Sequence, residues 1–84
     1  MDKIELKIQE LMGVVFEIPT EEITIDSSQD NIDNWDSLKH LDIIVSIEEE
    51  FDIVFPIEEI GNLTSFKLIS VVLKEQLQNE GKSY

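Results

Sequence analysis

The 84-residue chain predicts an all-α fold, a small four-helix bundle of three main helices plus one short helix, with a long loop between helices 1 and 2. Three observations predict it. Three segments repeat apolar residues at the 3.6-residue spacing of a helix. No segment alternates long enough to make a strand, because Ile53-Val54-Phe55 is short and is followed by Pro56. There is no cysteine, so the core must hold by packing alone. The length suits a single domain over 1–84 with one modest core, residues from about 80 to 84 forming a frayed tail.

Helix 1 is predicted over residues 2–16. Ile4, Ile8, Leu11 and Val15 make its stripe, and Leu6, Met12 and Phe16 widen it. Gly13 is a weak point, costing about 1 kcal/mol relative to alanine. Pro19 closes the helix, since the residue before a proline resists helical geometry.

Residues 17–35 form the long connection. Thr20, Thr24, Ser27, Ser28, Asn31 and Asn34 favour turns by competing for local backbone hydrogen bonds. Ile18, Ile23, Ile25, Ile32 and Trp35 pin the segment to a core, with a short helical turn expected near Pro19–Ile23. Loops of this length in compact domains are usually functional.

Helix 2, over residues 37–52, has Asp36 as its N-cap. Ile43, Ile44, Ile47 and Phe51 share one arc, the natural core face. Leu38, Leu41 and Val45 fall on a second arc, bracketed by Asp42, Glu48 and Glu49. After Pro56, Ile57–Ile60 makes a short helix. Thr64 or Ser65 caps the last helix, whose stripe is Phe66, Ile69, Val72 or Leu73, and Leu77.

Six lysines against nineteen acids give 6 − 19 = −13. Such a surface repels phosphate backbones and excludes nucleic acid as a partner, while favouring proteins with basic patches. No apolar run approaches the roughly 20 residues of a membrane span. The charged start, Met1 to Glu5, lacks a signal-peptide pattern. A cytoplasmic monomer without membrane insertion is the expectation.

Ser37 is the residue that invites chemistry. As a hydrolase nucleophile it lacks the G-x-S-x-G flanks, and His40 on the same helix supplies no triad geometry with an oxyanion hole. As a simple cap it is redundant beside Asp36. A phosphate attached there would meet free N–H groups and the positive end of the helix dipole. Asp26, Asp30 and Asp33 permit a weak, diffuse cation site but not an EF-hand, whose glycine and glutamate positions hold Asn31 and Ser37. His40 reads as structural or surface-exposed, and Trp35 as a core plug or staple. The arc Leu38, Leu41, Val45 has two readings. Other helices bury part of it, or it is a docking face with Asp36, Asp42, Glu48 and Glu49 as an acidic rim.

The chain resembles an acyl carrier protein. The resemblance rests on Asp36-Ser37-Leu38, then Asp42, Ile47-Glu48-Glu49-Glu50-Phe51, Phe55-Pro56 and Glu58-Glu59, and covers nearly the whole chain. It implies a 4′-phosphopantetheine on Ser37, installed from coenzyme A by a phosphopantetheinyl transferase. It further implies partners that load and transfer acyl groups through basic docking patches, and a carrier that makes no bonds itself. Carriers of fatty acid synthesis often have glycine before the Asp-Ser-Leu and an acid after it. Here Asn34-Trp35 precede and Lys39-His40 follow. That form is more similar to discrete carriers of specialised pathways: polyketides, modified amino acids, or small acyl units loaded onto sugars. The rival reading is an unmodified acidic helical adaptor that binds basic partners.

Overall fold

The computed structural model describes residues 1–82. It contains α1 (Lys3–Phe16), α2 (Ser37–Phe51), α3 (Ile57–Ile60) and α4 (Phe66–Asn79), with a single 3-10 turn at Thr20–Glu22 inside the long loop. This is the predicted bundle of three main helices and one short one.

Each long helix begins on an acid or hydroxyl cap. Asp2 and Glu5 form a reciprocal capping box at α1, with bonds of 2.8 and 3.0 Å. Asp36 and Ser65 cap α2 and α4. The helices α1 and α2 end differently from the usual glycine stop. Glu17 (φ 58°) and Asp52 (φ 53°) adopt the left-handed conformation that usually falls to glycine.

The α1 helix runs antiparallel to α2 and α4. Its C-terminal end meets the start of α2, where Asn34 Nδ2 donates to the Phe16 carbonyl at 2.8 Å. Its N-terminal end meets the ends of α2 and α4, through Lys7–Glu50 and Lys74–Asp2. The Lys74–Asp2 pair is close, at 2.6 Å. Its hydrogen bond is the main cause that holds the Asp2 carboxyl below its ordinary range and the Lys74 ammonium above its own. The small contribution of this exposed pair is therefore lost as pH falls through the lowered Asp2 value, and again as pH rises through the raised Lys74 value.

The core is one cluster. Ile8, Met12 and Phe16 enter it from α1, Ile43, Ile44, Ile47 and Phe51 from α2, and Phe66, Ile69, Leu73 and Leu77 from α4. Two details depart from the sequence reading, and a third settles an alternative it left open. The centre of the α1 stripe is Ile8-Met12-Phe16; Ile4, Leu11 and Val15 are only partly buried on its flank, and Leu6 is exposed. The reason is angular, since Leu6 lies about 120° around the helix from that line. In α4 it is Leu73, not Val72, that is fully buried. The tail is tied back rather than frayed as far as it is described. Lys82 pairs with Asp52 and Glu80 and donates to the carbonyls of Phe51 and Asp52. Residues 83 and 84, the end of the predicted tail, lie outside the described residues.

The long loop satisfies its own backbone. Ser27 Oγ accepts from Thr24, Thr24 Oγ1 from Asp26, Asn31 Oδ1 from Ser28, and Ser28 Oγ from Asp30. A bridge between Ser28 and Ser65 ties the loop to the start of α4, with Phe66 N–H donating to Ser27 and Gln29 N–H to Thr64. Ile23, Ile32 and Trp35 are buried, and the Trp35 ring lies 4.8 Å from that of Phe16.

Two predictions concern stability. At Gly13 an added Cβ would sit 3.1 Å from Thr20 Oγ1 and 3.2 Å from the Ile18 carbonyl oxygen. The latter is backbone, fixed because Ile18 N–H itself bonds the Gly13 carbonyl. Gly13→Ala should therefore lower the urea midpoint, although helix propensity alone favours alanine by about 1 kcal/mol. The second concerns Glu48, whose carboxylate accepts the Phe55 N–H at 2.8 Å and so fixes the segment after α2. Glu48→Ala should cost about 1 kcal/mol by orphaning that N–H, and Glu48→Gln, which keeps an acceptor, distinctly less. Chemical denaturation of the three proteins checks the ranking.

Candidate functional site

The site is the first turn of α2. Asp36 sits in extended geometry (φ −98°, ψ −176°), its Oδ1 accepting the Lys39 N–H at 2.8 Å while its carbonyl accepts the His40 N–H at 2.8 Å. The cap thus takes the third amide of the helix. Among the described residues, the first two N–H groups, of Ser37 and Leu38, meet no acceptor. Ser37 is exposed, so its Oγ faces solvent at the positive end of a fifteen-residue helix.

Behind Ser37 the loop and two helices converge on His40. The Trp35 Nε1–H donates to His40 Nδ1 at 3.0 Å, and His40 Nε2 lies 2.7 Å from the Ile60 carbonyl at the end of α3. The two rings are stacked with centroids 6.2 Å apart. His40 is therefore a structural residue, half-buried, and not a surface feature. Beside it a shallow groove of about 360 Å³ is lined by Gln29, Ser37, His40, Leu41, Gly61 and Thr64.

The second arc of α2 is open. Leu38, Leu41 and Val45 are 69%, 53% and 49% exposed, so the neighbouring helices do not bury them. Asp36, Asp42 and Glu49 are exposed with them. Glu48 differs from the other predicted rim residues, being half-buried with its carboxylate engaged by Phe55. Sequence reasoning missed one contributor, Val14, and did not place Lys39. Val14 of α1, 76% exposed, lies across a groove of about 510 Å³ from Leu41, Asp42 and Val45. Lys39, on the rim of that groove, reaches Glu17 at 3.6 Å. The only available signal for Val14 was its place off the buried α1 stripe. Among the described residues no group of three His, Cys, Asp or Glu side chains gathers as for a metal ion, and Asp26, Asp30 and Asp33 do not converge.

The charges are divided between the two poles. Lys3, Lys7, Lys74 and Lys82 lie around the N-terminus of α1 and the ends of α2 and α4. The Ser37 pole keeps only Lys39 and Lys67 of the six lysines, among Glu17, Glu21, Glu22, Asp26, Asp30, Asp33 and Asp36.

The family model for the phosphopantetheine attachment site matches residues 6–77 of the chain. The acyl carrier protein of Buchnera aphidicola subsp. Baizongia pistaciae (strain Bp) is 35% identical over 75 residues, spanning 89% of this chain and 96% of that one. The solution NMR structure of a holo acyl carrier protein from Geobacter metallireducens superposes with a TM-score of 0.81. It is 25% identical, and the match covers 100% of this chain and 95% of the other.

Proposed function

This chain belongs to the acyl carrier protein family, whose members are carriers and not catalysts, and from that premise we propose that Ser37 is the residue that bears its 4′-phosphopantetheine. The observation that carries the assignment is the exposed Ser37 hydroxyl at a helix start whose first two N–H groups are free. The surroundings fit the group. The free N–H groups and the helix dipole suit a phosphodiester, and the groove beside Ser37 offers the polar side chains of Gln29 and Thr64 next to Leu41. When attached, the arm supplies the thiol that a cysteine-free chain lacks, and with it a thioester link for an acyl group.

The chain's own residues then present the site. Leu38, Leu41 and Val45, joined by Val14, form the apolar centre of a docking face, and Asp36, Asp42 and Glu49 form its acidic rim. Partners with basic patches fit this face: a phosphopantetheinyl transferase first, then enzymes that load and transfer acyl groups. The separation of lysines from the Ser37 pole turns that pole toward them during approach. A carrier in a specialised pathway is the reading favoured by Asn34-Trp35 before the serine and Lys39 after it. His40 drops out of that argument, because its ring points into the protein.

Incubation with coenzyme A and a broad phosphopantetheinyl transferase should add one arm, read by intact mass, and Ser37→Ala should add none. An unmodified wild-type product would favour the acidic adaptor instead. Docking has its own test. Asp42→Lys should raise the transferase KM by roughly tenfold, with kcat and the melting temperature little changed. Parallel loss of folding and modification would remove Asp42 from the docking face.

A further inference from the structure

The contacts of His40 determine where its proton sits. An indole N–H can only donate, so His40 Nδ1 must accept from Trp35. A carbonyl can only accept, so Nε2 must carry the hydrogen that reaches Ile60. Only the neutral Nε2–H tautomer satisfies both partners. An imidazolium would set its Nδ1–H against the indole N–H, and one of the two donors would be left without an acceptor beside a buried Trp35.

We propose that His40 is the positioning residue of this site: as the neutral Nε2–H tautomer it ties the end of α3 to the start of α2, and its protonation releases the tie and opens the groove beside Ser37. The functional meaning rests on Ser37 as the modified residue, while the tie itself does not. Three elements meet at the ring. The loop supplies Trp35, α2 supplies His40, and α3 supplies Ile60, after which Gly61 and Thr64 continue as the groove wall. The short α3 is a single turn of four residues. Its first turn carries no side-chain cap, and at its C-terminal end the Ile60 carbonyl takes both the Leu63 N–H and the His40 ring while the Ile60 side chain packs against the core. The charged groups around the ring are Asp36 and Lys39 on its own helix and Glu58 and Glu59 on α3. Asp36 is engaged by the Lys39 N–H and Lys39 by Glu17. Among the described residues none of these charges pairs with the ring. The neutral form is the one whose donor and acceptor match both partners.

The chain has one tryptophan and one histidine, so each signal is unambiguous. NMR of the intact apo protein would follow the imidazole nitrogens, the Trp35 indole proton and the amides of Glu59, Asn62 and Leu63 between about pH 8 and about pH 5, where imidazoles change charge. At the upper end the Nε2–H tautomer and a protected indole proton are expected. On acidification indole protection should fall, and the three amides should lose about tenfold of their protection relative to an unstructured chain at the same pH, the size set by one lost buried hydrogen bond. His40→Gln offers an accepting oxygen and a donating amide without titrating in this range, so it should keep the indole proton protected and remove the transition. An Nδ1–H tautomer in the wild type, an indole proton indifferent to pH, or the same transition in His40→Gln would each overturn the proposal. Should His40→Gln fail to fold, the wild-type tautomer and indole exchange still decide. The readouts use the unmodified chain, so failure of Ser37 to take an arm leaves them intact, and failure of the tie leaves the mass test intact.

Discussion

The seating of Trp35 against Phe16 is the constraint on which the rest of this structure depends. A twenty-residue loop would otherwise leave the start of α2 free to wander. With the indole buried against the last residue of α1, and Asn34 bonded to the Phe16 carbonyl, the chain enters α2 from a fixed point. Most of the remaining loop bonds are short-range, several of them made by its own Ser, Thr and Asn side chains, and the long-range ones run to Gln9 and to the start of α4. Entropy explains the economy. Ordering a long segment is costly, and side chains that close local turns reduce the number of distant contacts required to hold it.

The same tryptophan reaches the other side of the site through His40. Its face packs on α1 while its N–H holds the imidazole that holds α3. One residue thus links the end of the first helix, the start of the second and the end of the third. Elsewhere the architecture is kept by charge. Asp2 with Lys74, Glu50 with Lys7, and Asp52 with Lys82 close the pole opposite Ser37. Because the cations are used there, the acids at the Ser37 pole remain largely uncompensated, which is the arrangement a basic partner recognises at range.

What could be read in the sequence was whatever depends on neighbours three or four residues away. The four helices, the Asp36 cap and the two arcs of α2 all follow from periodicity and local capping. What could not be read depends on partners far along the chain. Glu48 looks like a rim acid on a helical wheel, but its carboxylate is taken by the Phe55 amide after the chain reverses at Asp52. Lys82 looks like part of a loose tail until Asp52 meets it from thirty residues back. His40 is a lone histidine whose role appears only when Trp35 and Ile60 are brought to either side of its ring. Leu6 shows the limit within a helix, because a broad apolar stripe does not reveal its own centre.

The exposure of Leu38, Leu41 and Val45 follows from the geometry of α2. Their arc lies about 140° around the helix from the centre of the arc of Ile43, Ile44, Ile47 and Phe51. A small bundle has one core, and it buries the arc of Ile43, Ile44, Ile47 and Phe51. Burying Leu38, Leu41 and Val45 as well would need another element on the outer side, and the loop that passes nearby is committed to Phe16 and to the start of α4. The apolar arc is therefore left at the surface by the fold itself. A monomer tolerates such a patch when like charges around it oppose self-association, and Asp36, Asp42 and Glu49 do so here. On the proposed docking reading, the acids that oppose self-association are the same ones that would complement a basic partner, so one rim would serve both solubility and choice of partner.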